Sequence, residues 1–139
     1  MVPINFWAVL GAAIASMVVG MLWYGPLFGK QWMAMMGITK ESMQTMKMTP
    51  KSAMTGGFVA SLVMSYVLAH SLVFAEAYLG TSGVSAGLST GFWNWLGFVA
   101  PVTLGVVLWE GKPWKLWFLN GSYYLVSLLV MGVILAVWK

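Results

Sequence analysis

Charge is confined to a few short places along this chain, and that distribution decides most of what the chain can become. No charged side chain occurs from Met1 to Gly29, from Ser52 to Ala75, from Ala77 to Trp109 or from Leu116 to Trp138. A helix rises about 1.5 Å per residue, so about 20 apolar residues cross a hydrocarbon core of about 30 Å. Each stretch is long enough, which places spans near residues 4–27, 53–75, 86–109 and 116–138. Backbone groups in lipid must bond internally, so only helices and closed barrels span. A barrel strand alternates apolar and polar residues over about ten positions, whereas Leu125–Trp138 is apolar on nearly every side. The expectation is an all-α polytopic membrane protein. Its single domain, residues 1–139, bundles four transmembrane helices, with a short interfacial helix or ordered loop between the first two.

Composition narrows the chemistry. Hydrophobic residues make up 60% of the chain and charged ones 7%, against about 45–50% and about 25% in soluble domains. A water-facing globule could not be coated with so little charge. The chain has seven lysines, three glutamates and one histidine, and no arginine, aspartate or cysteine. Disulfides, thiolate nucleophiles and sulfur-bound zinc or iron–sulfur clusters are therefore excluded. The net charge of +4 superficially suggests nucleic acid. Without arginine, however, bidentate reading of guanine or phosphate is missing, and no nucleic-acid partner is expected. One histidine without aspartate is a poor basis for a catalytic triad. The expectation is a non-enzymatic chain with no cofactor and no metal.

Local signals support the spans. Thr49-Pro50 opens the second: threonine caps the first amides, and proline at the first helical position loses nothing. Gly80-Thr81-Ser82-Gly83 is a turn cluster, and Glu110-Gly111-Lys112-Pro113 a tight polar link that makes spans three and four an antiparallel hairpin. The first segment lacks the charged start and the short apolar run of a cleaved signal peptide, so it is expected to be retained.

Lysines assign the sides. Lys30, Lys40, Lys47 and Lys51 lie in the first link and Lys112 and Lys115 in the third, while Lys139 stands alone on the other side. This asymmetry puts loops 28–52 and 110–115 in the cytoplasm and both termini outside. The long first link holds Trp32, Met33, Met35, Met36 and Ile38, which are too apolar for a free loop. Either a short helix lies on the inner leaflet or an ordered connector packs under the bundle.

Helices in lipid associate by close packing, for which small residues are the usual means. Ala12, Ser16 and Gly20 form such a stripe in the first span, and Ala53, Gly57, Ser61, Ser65 and Ala69 another in the second. In the third, Gly87, Gly91, Asn94, Pro101 and Gly105 fall within about 40° of one line, and Pro101 is expected to bend the helix. That face is either packing surface or the wall of a solute path. Asn120, Ser127 and Met131 share one side of the fourth span.

Polar groups inside spans are scarce and so stand out. Tyr66 and His70 lie one turn apart near the outer end of the second span, with Asn94 at comparable depth in the third. These three form a candidate intramembrane polar site: a pH-sensitive proton or ligand site, or a neutral histidine bonded between helices. Glu76 and Glu110 end their spans near water, as interfacial anchors or local ion pairs.

The segment Trp23-Tyr24-Gly25-Pro26-Leu27-Phe28-Gly29-Lys30-Gln31-Trp32, preceded by Ile4-Asn5-Phe6-Trp7, resembles the domain of unknown function 1761 family of small integral membrane proteins. Trp95-Leu96-Gly97-Phe98, Trp109-Glu110-Gly111-Lys112-Pro113 and Asn120-Gly121-Ser122-Tyr123-Tyr124 extend the likeness over nearly the whole chain. The resemblance implies a prokaryotic-type protein with four spans and brings no established activity. Physically, Gly25-Pro26 is expected to end the first helix at the inner interface. Trp23, Tyr24 and Trp32 would seat it there, with Lys30 at the headgroups. The resulting expectation is a protein that acts by association in the bilayer, with itself or with other membrane subunits. The alternative is a small-solute or ion channel along the Gly/Asn/Pro face of the third helix.

Overall fold

Asn5 opens the first helix. Its side-chain oxygen accepts from the amides of Trp7 at 3.0 Å and Ala8 at 3.4 Å, and α1 runs Phe6–Leu22. The computed structural model describes residues 1–139, with helices and no strands. Pro26 has no amide to donate, and Trp23–Leu27 widens into a π turn in which the Phe28 amide bonds the Trp23 carbonyl at 2.8 Å. Helix α2 (Gly29–Met36) follows at once. The expected stop at Gly25-Pro26 falls within this turn: the membrane-length segment runs Phe6–Leu27, and Phe28 leaves the helical conformation. Close approach fixes Gly29, where a β-carbon would lie 2.6 Å from the Tyr24 carbonyl oxygen.

A one-turn helix, α3 (Lys40–Gln44), is capped by Thr39 and Ser42, which bond each other's amides. The long α4 (Pro50–Leu79) starts as the sequence implies, with Thr49 accepting from the Ser52 amide at 3.1 Å. It stops at Gly80, whose φ of 68° is left-handed. Its 30 residues measure about 45 Å at 1.5 Å per residue, more than a hydrocarbon core needs. Helix α5 (Gly83–Phe98) breaks near Pro101, and a 3-10 turn at Val102–Leu104 leads into α6 (Gly105–Leu108). The two arms meet at 43°. Helix α7 (Trp114–Val137) closes the chain.

Three segments, Phe6–Leu27, Pro50–Leu79 and Trp114–Val137, are long and apolar enough to cross a membrane. The bent α5–α6 pair makes a fourth if it counts as one span. Helix α7 is the hub and packs on α5, α1 and α4, while α1 also lies along α4. The apolar core gathers at the end holding both termini, from Ala8, Val9 and Ala12 of α1 to Leu68 and Leu72 of α4 and Met131 and Leu135 of α7. Only 24 of 139 residues are buried, so most apolar side chains point outward.

The first link is mixed. In α2, Trp32 sets its ring edge-on against Tyr24 of the preceding turn at 5.7 Å, and the helix also touches α7. Residues 39–50 are all exposed.

Candidate functional site

The end opposite the core, where Leu116 is fully buried, is also held by hydrogen bonds. They converge on one stretch of α7. The Trp23 indole donates to the Leu119 carbonyl at 3.0 Å, and the Trp95 indole to the Gly121 carbonyl at 2.9 Å. Between them, the Tyr24 hydroxyl donates to Asn120 Oδ1 at 2.6 Å. A helical carbonyl has two lone pairs, so it can accept an indole beside its own helical amide. Tyr123 sets its ring edge against Tyr24 at 5.1 Å and neighbours Tyr124 at 5.0 Å. Three of the sequence signatures, those holding Trp23-Tyr24, Trp95 and Asn120 to Tyr124, therefore meet within this region.

The helix break feeds the same cluster. Ala100 would normally bond the Leu104 amide, but that amide turns back to the Pro101 carbonyl at 3.3 Å. The Ala100 carbonyl is instead served by the Trp117 indole at 3.2 Å and the Thr103 hydroxyl at 3.3 Å. Thr103 also donates to Val99 at 2.7 Å. Beside the break lies a cavity of about 310 Å³, lined by Thr103, Glu110, Trp117, Asn120 and Tyr124 among others. A carboxylate, an amide and a phenol around one small space can orient a polar group. No three His, Asp or Glu side chains stand close enough to hold a metal.

The sequence carried Trp95 as part of the family likeness but assigned no hydrogen-bond partner to Trp95, Trp117 or Thr103. The available signal was tryptophan in mid-segment, where an indole N–H needs a partner. Glu110 forms no ion pair with Lys112 or Lys115, contrary to one expectation; it lines the cavity instead. Glu76 pairs with Lys139 at 2.6 Å.

The proposed trio of Tyr66, His70 and Asn94 divides. His70 Nδ1 donates to the Tyr66 carbonyl at 2.9 Å, and the two rings meet edge-on at 4.6 Å. Both line a hollow against Met1, Pro3 and Phe6. Asn94 is elsewhere: its amide donates to Thr90 of its own helix at 2.9 Å. The physical reason is direction, since α5 turns its small face to α7 and not to the His70 side of α4.

The small stripes are used unevenly. Ala12 and Ser16 are buried, and Gly20 faces Tyr123. Ser61 and Ser65 are buried, with Ser65 donating to the Val9 carbonyl at 2.9 Å, and Gly57 rests on Met17. A β-carbon on Gly87 would collide with the Gly132 backbone, and one on Gly91 would lie 2.6 Å from the Leu128 carbonyl oxygen. Gly132 was missed by sequence. Pro101 is exposed and Gly105 has no close neighbour but Trp109, so the third-helix face does not continue past the break. The bend resets the 100° phase on which that alignment depended. Of the interfacial signature, Gly25, Pro26 and Lys30 are exposed.

Taken together, this is an all-α protein with three to four helices of membrane-crossing length and a hydrogen-bonded aromatic cluster at one end. A family model described as Protein of unknown function (DUF1761) matches residues 7–136, and the chain belongs to that family. No curated protein and no solved structure matches it.

Proposed function

We propose that the chain is a four-span inner-membrane protein that acts without catalysis, by association with copies of itself or with other membrane subunits. The observation that carries association is an unused packing stripe. Helix α4 spends Ser61, Ser65 and Ala69 inside the fold, while Ala53, Gly56 and Ala60 are exposed. A β-carbon on Gly56 would meet nothing within 4 Å. These three fall within about 40° of one line on the helix surface. Small residues let a second helix approach closely, and such approach drives association where lipid removes the hydrophobic effect.

The four-span reading is supported by the modest bend of α5–α6. At 43° the second arm continues away from the first, whereas a re-entrant segment would turn back. The lysine asymmetry then sets the two basic links in the cytoplasm. The channel alternative loses its wall, because α7 fills the Gly87–Gly91 face.

The absence of native cysteine makes the test clean. Ala60→Cys should give a thiol-crosslinked adduct in native membranes, either to itself or to a partner subunit. Val102→Cys, exposed on the broken helix, should not. Equal crosslinking at both positions would overturn association through α4.

A further inference from the structure

At the end of the bundle that holds both termini, α1, α4 and α7 surround a cavity of about 440 Å³. Its floor belongs to the core: Ala8, Ala69, Leu72 and Leu135 are almost fully buried. Its rim is charged and polar. Lys139 Nζ meets Glu76 Oε2 at 2.6 Å, and Lys139 remains half exposed. The other carboxylate oxygen, Glu76 Oε1, is buried without a hydrogen-bond partner. A buried charged acceptor without a donor is costly, so the site is built to receive one. An ammonium has three N–H groups, and Lys139 spends one of them on Glu76. The Asn5 amide is held only loosely, by the Trp138 carbonyl at 3.4 Å.

We propose that this cavity seats the headgroup of an ethanolamine phospholipid. The primary ammonium of the lipid donates to Glu76 Oε1. Its phosphate accepts from Lys139 Nζ and the Asn5 amide, and the start of an acyl chain lies on the Ala8–Leu72 floor. The rim offers one negative and one positive group, which matches the charge order of that headgroup. A choline headgroup carries no N–H to give Glu76, and a glycerol headgroup carries no cation. The inference rests on the reading that these helices cross a bilayer.

The test is retention of lipid by the full chain in mild detergent, read by native mass spectrometry against equimolar dioleoyl phosphatidylethanolamine, phosphatidylglycerol and phosphatidylcholine. Retention of the ethanolamine lipid should exceed either other by about tenfold, the scale of one charge-assisted hydrogen bond. Glu76→Gln should bring the three lipids level, and Lys139→Met should weaken the ethanolamine lipid. Ala69→Leu, which fills the floor without touching the charges, should also lower its retention and covers the case in which Glu76→Gln fails to fold. Glu110→Gln, at the opposite end, should leave the preference intact. Equal retention of all three lipids by the native chain, or unchanged retention of the ethanolamine lipid by folded Ala69→Leu, would overturn the proposal. So would free phosphoethanolamine binding as tightly as the lipid. A chain that stays in the membrane fraction but shows no preference refutes this site alone. Loss of the chain from the membrane fraction refutes the spanning reading beneath it.

Discussion

Tyr24 and Asn120 stand 96 positions apart and share a 2.6 Å hydrogen bond. Removing either partner should cost about 0.5–1.5 kcal/mol of stability. In a double-mutant cycle of Tyr24→Phe and Asn120→Leu, the second change should cost much less once the first is made. Reversible unfolding in mixed detergent micelles measures this, and strictly additive losses would show that the two side chains do not bond. His70 is different, since its bond stays within its own helix. His70→Gln should shift stability by less than about 0.5 kcal/mol, and a loss above about 1 kcal/mol in the same unfolding measurement would show that the imidazole bonds beyond its own helix. The sequence exposed Trp23-Tyr24 and Asn120 as separate patterns but not their contact. Periodicity reports which side of one helix is unusual and is silent about which helix it meets. For the same reason, Asn94 and His70 looked like neighbours at equal depth and are not.

Between elements, the α5–α7 contact is the closest in the fold, with Gly87 and Gly132 backbone to backbone. Gly87→Ala forces the helices apart and should cost about 1–3 kcal/mol by overpacking. Gly97→Ala, in the same helix with nothing within 4 Å, should be neutral or slightly stabilising, because alanine is the better helix former. Thermal or denaturant unfolding of the two variants distinguishes them, and equal effects would contradict the packing. The start of α4 at Thr49-Pro50 and its stop at Gly80 were legible, since a cap and a turn act within a short window of sequence. The consequence of Pro101 was only half legible. The bend followed from the missing amide. The loss of the small face beyond it did not, because a straight-helix projection carries its phase through the break. Gly132 escaped notice because its partner, Gly87, lies on another helix.

For the whole molecule, the scarcity of charge remains the strongest constraint. It predicts an outward apolar surface, and the fold has one, with Val59, Val63, Phe74, Trp93 and Val102 among its exposed residues. The two ends of the bundle do different work: one packs aliphatic side chains around Met131, the other ties aromatics to the α7 backbone. Lysine placement predicts the sidedness, and the sharpest test of that prediction lies at the link after the broken helix. Single cysteines at Ser42, Ser82 and Glu110 should be probed with a membrane-impermeant maleimide on intact and permeabilised cells. Four spans with both termini outside require labelling of Ser82→Cys in intact cells, with Ser42→Cys and Glu110→Cys labelled only after permeabilisation. Labelling of Glu110→Cys together with Ser82→Cys in intact cells would mean that α5–α6 turns back without crossing, and would contradict the four-span architecture.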